Sequence, residues 1–134
     1  MKNVLILCTG NSCRSIMAEA LINAKLKGCV KAYSSGVNPS GKVNPNAKKL
    51  LQKKGIWEDE YRSKPIEEIE EIPFDLVITV CDNAKETCPV FSRNAKTIHI
   101  GFEDPDGKEI AAFEETLNDI EKRLLPVIEK ELCN

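Results

Sequence analysis

Apolar positions along the chain switch between two periods. Val4-Leu5-Ile6-Leu7 is an unbroken apolar run of strand length, the pattern of a strand buried on both faces of a parallel sheet. Over residues 15–27 the apolar side chains Ile16, Met17, Ala20, Leu21 and Ala24 return at helical spacing, which predicts an amphipathic helix. Residues 30–35 read as a short strand stopped by Gly36, and Asn44-Pro45 opens a helix that runs to Lys54 and ends at Gly55. Ile66, Ile69 and Ile72 stand three apart and predict a short helical piece. Residues 75–80 and 95–100 read as two further strands, and 109–132 as one long amphipathic helix kinked at Pro126. Strands and helices in alternation predict an α/β fold, a parallel sheet with helices on both faces. No repeat, low-complexity tract or linker interrupts the pattern, so residues 1–134 are expected to form a single domain.

In such folds ligands sit beyond the carboxyl ends of the strands. Three segments with chemical potential fall on that rim: Cys8 after the first strand, Cys81 after the third, and Gly101-Phe102-Glu103-Asp104 after the fourth. The first is the most informative. Cys8-Thr9-Gly10-Asn11-Ser12-Cys13-Arg14-Ser15 joins a buried strand to a helix N-terminus, with a cysteine and an arginine in C-x5-R spacing. Convergent loop N–H groups and the helix dipole favour an oxyanion there. The planar fork of Arg14 suits two oxygens of a tetrahedral anion. A cysteine at the mouth of that cradle is expected to have a lowered pKa and to be a thiolate at neutral pH. The loop therefore reads as a nucleophile aimed at a bound oxyanion.

Composition narrows the partners. A net charge of −2 leaves no footprint for nucleic acid or an anionic membrane. No apolar run approaches the roughly 20 residues of a membrane span, and no leader pattern precedes the first strand, so a cytoplasmic protein, expected as a monomer, is the reading. Six cysteines are many for such a chain. In a reducing compartment they are expected to form no static disulfide framework. With no C-x2-C pair and His99 as the only histidine, no metal site is expected.

Thiol chemistry accounts better for some of the cysteines. Cys81 and Cys88 are seven apart; on a helix they would lie about 10 Å apart, beyond disulfide reach, so a bond between them requires the segment to unwind. Both could instead simply fill apolar space. Asp104, before Pro105, is a candidate general acid or a turn aspartate. Cys13 is expected in the core beneath the loop, and Cys29 and Cys133 outside the chemistry. His99 reads as a packed or surface strand residue, and Trp57 as surface or core packing.

Taken together, these motifs resemble the low-molecular-weight protein-tyrosine phosphatase superfamily and, within it, the thioredoxin-coupled arsenate reductases. The resemblance spans nearly the whole chain. It rests on the 8–15 loop, Met17-Ala18-Glu19-Ala20, Tyr33-Ser34-Ser35-Gly36, Val43-Asn44-Pro45, Cys81 with Cys88-Pro89, and Gly101-Phe102-Glu103-Asp104-Pro105. It implies a three-layer sandwich around a four-stranded parallel sheet of order 2-1-3-4. It also implies arsenate held by Thr9, Gly10, Asn11, Ser12, Cys13, Arg14 and Ser15, and a thiol relay. Cys8 attacks arsenic, Cys81 attacks Cys8 as arsenite leaves, and Cys88 attacks Cys81, while Asp104 assists proton movement. Thioredoxin or a similar dithiol protein serves as the external reductant, with no bound cofactor. The alternative is a phosphatase using Cys8, Arg14 and Asp104. Ile16, where phosphatases usually carry proline, favours the reductase. The resemblance further implies a potassium ion held by Asn11, Glu19, Ser34 and an acid near position 64, where this chain has Lys64.

Overall fold

The structure, a computed structural model, describes residues 1–81 and 95–133. Its elements follow the predicted alternation: β1 (Lys2–Cys8), α1 (Arg14–Lys25), β2 (Val30–Gly36), α2 (Pro45–Lys53), a 3₁₀ turn (Ile66–Glu68), β3 (Leu76–Thr79), β4 (Lys96–His99), α3 (Ile110–Arg123) and α4 (Leu125–Leu132). The strands form one four-stranded sheet in the order β2-β1-β3-β4, parallel at every pairing. The expected sheet order therefore holds.

Side-chain alternation divides the strands between two apolar layers. Val4, Ile6, Ala32, Leu76 and Ile78 face a cluster to which α1–α4 contribute Ile16, Met17, Leu50, Phe113, Ile120 and Ile128. Leu5, Leu7 and Val77 point the other way, toward Ile66, Ile69, Ile72 and Phe74. Among the described residues, the third layer is thus the 3₁₀ turn and its flanks. The short apolar runs of β1 and β3 make sense here, because both strands lie inside the sheet. Edge strand β4 is mostly exposed.

Local signals place the helix ends. Asn44 caps α2, its side-chain oxygen accepting from the N–H groups of Asn46 (2.9 Å) and Ala47 (3.4 Å), a cap worth about 1 kcal/mol. The predicted single helix over 109–132 is instead two helices joined at Leu124. Proline cannot donate to the carbonyl one turn back, so a helix breaks ahead of it. Pro126 stands in the first turn of α4, where no such donor is needed.

A second correction concerns the cysteines. Helices α3 and α4 bring the chain end back against the start of β2, and Cys29 and Cys133 form a disulfide with their Cα atoms 5.9 Å apart. The expectation of no static disulfide fails at this pair. Its 104-residue separation would remove about 4–5 kcal/mol of denatured-state chain entropy. Among the described residues, no helix is long and apolar enough to cross a membrane.

Candidate active site

The loop between β1 and α1 takes its shape from polar clamps behind it. The carbonyl of Cys8 accepts from Val37 N–H (3.2 Å), that of Thr9 from Asn38 N–H (3.0 Å), that of Gly10 from Ser40 N–H (2.9 Å), and that of Ser12 from Asn44 N–H (2.9 Å). Ser63 Oγ adds a second donor to Gly10 at 3.1 Å. With these carbonyls drawn outward, the loop peptides are oriented to turn N–H groups toward the cleft, as in an anion-binding nest. Asn11 makes the sharpest bend, with φ +48°, a left-handed conformation that asparagine tolerates better than most residues. Its N–H points at Cys8 Sγ, 3.3 Å away.

Cys8 is buried at the floor of this cradle. Its sulfur lies 3.0 Å from Ser15 Oγ, which in turn accepts from Asn11 Nδ2 at 2.7 Å. Burial raises the Cys8 pKa and outweighs the lowering effects of Ser15, the Asn11 N–H and the Arg14 charge. The expected lowering is therefore not met: the loop donors that favour a thiolate are present, but the desolvation of a residue only 2% exposed is larger. Cys13 is likewise buried in the apolar cluster. Burial foremost, with Asp104 and Asp106 adding to it, pushes its thiol up to about 12, so Cys13 is a poor nucleophile, as its core placement suggested.

Arg14 and Asp104 meet at the rim. Arg14 Nη2 lies 3.6 Å from Asp104 Oδ2, and Arg14 Nη1 donates to the Phe102 carbonyl at 3.2 Å. The carboxylate is half exposed while the guanidinium is buried. Asp104 Oδ1 also accepts from Asp106 N–H at 3.0 Å, so the carboxylate that meets Arg14 at the rim is also a turn aspartate. Cys8, the loop through Arg14, Ser40, Asp104 and Asp106 line a cleft of about 260 Å³, room for a small tetrahedral oxyanion. Ser40, Ser63 and Asp106 carry no motif in the sequence and enter only through tertiary contact.

Cys81 is buried just past β3. β3 pairs with β1 so that Leu7 is level with Thr79, which places Cys81 one residue beyond the position level with Cys8. Cys81 is disulfide-bonded, whereas Cys8 and Cys13 are free. Cys88 lies outside the described residues. His99, on the exposed edge strand, pairs through Nδ1 with Thr79 Oγ1 at 2.8 Å, and Trp57 stacks edge-on against Tyr61.

The end of β2 supports the loop from the side. A Cβ on Gly36 would lie 2.4 Å from the Thr9 carbonyl oxygen and 3.1 Å from Asn11, so Gly36 lets the loop backbone come this close. Gly36→Ala is expected to cost about 1–3 kcal/mol of stability through this overlap. It should also weaken inorganic phosphate binding at least tenfold, because Thr9 and Asn11 must shift. Denaturant melts and calorimetric titration check both; phosphate affinity equal to wild type would mean that the loop does not need this approach.

The potassium donor set named by the resemblance does not fit these residues. Asn11 Oδ1 accepts from Lys64 N–H at 2.9 Å, Glu19 Oε1 accepts from Ser34 Oγ at 2.6 Å, and position 64 brings an ammonium where a carboxylate would be needed. A buried ammonium repels a cation placed beside it.

Comparison with known proteins agrees with this geometry. The low molecular weight phosphotyrosine protein phosphatase family matches residues 3–132. An arsenate reductase of Brevibacillus brevis is 37% identical over 123 residues, 92% of this chain and 91% of the relative. The crystal structure of arsenate reductase from Archaeoglobus fulgidus superposes with TM-score 0.82 at 33% identity, covering 93% of this chain and 98% of that one. A thioredoxin-dependent arsenate reductase of Corynebacterium glutamicum gives TM-score 0.72 at 25% identity, over 96% of this chain and 62% of that one. The sheet order, the Cys8 loop and the match along almost the whole length lead to one conclusion: the chain belongs to the low molecular weight phosphotyrosine protein phosphatase family.

Proposed function

We propose that this protein reduces arsenate to arsenite by a thiol relay that starts at Cys8, passes through Cys81 and Cys88, and is reset by thioredoxin or a similar dithiol protein in the cytoplasm. One observation carries the reading. A free Cys8 lies under the oxyanion loop, while Cys81, past the end of the neighbouring strand, is in a disulfide. That is the thiol pattern expected once such a relay has run and Cys8 has been released. The arsenate-reductase relatives support the same substrate.

Arsenate enters the cleft with its oxygens on the loop N–H groups and the Arg14 fork. Because Cys8 rests as a buried thiol, its proton passes to a bound oxyanion oxygen as the sulfur attacks arsenic. A sulfur–arsenic bond forms and an arsenic oxygen leaves as water, with Asp104 at the rim positioned to supply the second proton. Cys81 then attacks Cys8 Sγ. The sulfur–arsenic bond breaks toward arsenic, which gains two electrons and departs as arsenite, and the two sulfurs are oxidised to a disulfide. Cys88 attacks Cys81 and returns Cys8 as a thiol, and an external dithiol reduces the remaining disulfide by exchange.

The experiment is arsenate-dependent NADPH oxidation in the presence of thioredoxin and thioredoxin reductase. Sustained oxidation is expected. Failure to turn over, alongside rapid hydrolysis of an aryl phosphate, would overturn the proposal in favour of a second reading. That reading, phosphoester hydrolysis through Cys8, Arg14 and Asp104, is favoured by one contact: the Asp104 carboxylate sits over Arg14 at the cleft, where a leaving oxygen needs a proton.

A further inference from the structure

Behind the Cys8 loop lies a buried pair of opposite charges that the relay does not use. Glu19, on α1, is 5% exposed and Lys64 is 7% exposed. Glu19 takes a hydrogen bond from Ser34 Oγ, and Lys64 Nζ donates to the Arg62 carbonyl at 3.1 Å. Each feels the other's charge: burial pushes the Glu19 carboxyl up to about 7, and Lys64 is foremost among the groups that pull it back. Above that value Glu19 carries its charge; burial lowers the Lys64 pKa, and the Glu19 carboxylate is foremost among the groups that hold it up.

Lys64 is also tied to the catalytic loop through its backbone. Its N–H holds Asn11 Oδ1, and its carbonyl accepts from Gly36 N–H at 3.0 Å. Asn11 is the left-handed residue of the loop, with its N–H on Cys8 Sγ and its amide on Ser15. One residue thus holds the bend beside the nucleophile through its backbone and carries a buried positive charge that acts on Glu19. Where the resemblance implies a bound ion, this chain carries a positive charge on Lys64.

We propose that Lys64 is a positioning residue whose ammonium serves as a built-in monovalent cation for the Cys8 loop, so that loop order and oxyanion binding are independent of potassium. The inference deepens the arsenate-reductase reading of the site, but its readouts need no arsenate chemistry.

The test uses the full chain at pH 8, where Glu19 is mostly ionised, in potassium chloride and in sodium chloride at equal ionic strength. Inorganic phosphate is the probe of the loop. Wild type is expected to show the same melting temperature, within about 1 °C, and the same phosphate affinity in both salts; a potassium-specific rise in either overturns the proposal. Lys64→Met keeps the apolar stem and removes the charge, and should bind phosphate about tenfold more weakly. Wild-type affinity in that variant also overturns it. Lys64→Arg should restore affinity, which a purely steric role for the side chain would not predict. Lys64→Asp supplies the missing carboxylate and should acquire a potassium-specific rise of about 5 °C in melting temperature. A folded Lys64→Asp protein indifferent to the ion counts against the proposal, and if this variant does not fold the methionine and arginine variants decide. Failure to reduce arsenate with these ion responses intact would sink only the proposed function.

Discussion

Cys8→Ser is expected to lower arsenate-dependent turnover by at least about 10⁴-fold, the scale on which loss of a covalent nucleophile is felt, and to remove aryl phosphate hydrolysis with it. A serine hydroxyl at this position keeps the hydrogen-bonding environment, with Ser15 Oγ and the Asn11 N–H still within reach of its oxygen. It lacks the sulfur that can be oxidised, so no disulfide can carry electrons away from it. The cradle itself is built from backbone, Arg14 and the clamps behind the loop, none of which the substitution touches. Phosphate binding should therefore stay within about threefold of wild type, which separates lost chemistry from lost structure. The coupled NADPH assay, hydrolysis of an aryl phosphate and phosphate titration form the set. Retained hydrolysis in the variant would take Cys8 out of the nucleophile role in both readings.

That prediction rests on a loop that is legible in eight consecutive residues, because strand, bend, nucleophile and arginine are contiguous there. The parallel sheet was legible for a similar reason: the apolar runs of β1 and β3 declare strands buried on both faces. What escaped is non-local. The carbonyl clamps Ser40 and Ser63 reach Gly10 from far along the chain. Cys29 and Cys133, read as bystanders, are brought together by the return of α3 and α4. Pro126 signals a disturbed helix, but only packing decides between a kink and two helices. The Cys8 pKa went the other way from expectation because the loop's favourable charges are visible in sequence and the burial of its sulfur is not. Lys64 departs from a donor pattern in sequence; that it is buried where its charge acts on a buried Glu19 is a fact of the fold.

Cys88→Ser tests the part of the relay that the active-site geometry reaches least directly. In the proposed sequence Cys8 and Cys81 suffice to take arsenate to arsenite once, since their two thiols supply both electrons. Without Cys88 the reaction should stop at a Cys8–Cys81 disulfide, with the nucleophile occupied. A pre-reduced Cys88→Ser enzyme should release one arsenite per protein and then fall by at least about 10³-fold in steady-state rate, because thioredoxin must attack a bond at the base of the Cys8 cleft with no third thiol to move it. Both Cys8 and Cys81 are almost fully buried, which is why direct reduction by a protein dithiol should be slow. Quantifying arsenite after one turnover and mapping the trapped disulfide by peptide mass spectrometry gives two independent readouts. Unimpaired multiple turnover would mean that the reductant attacks the first disulfide itself, and the relay would shorten to two cysteines. A single burst with the Cys8–Cys81 bond recovered would place the third thiol where the electrons leave the site, and would make the 8–15 loop a device for reduction by thiol exchange instead of hydrolysis by water.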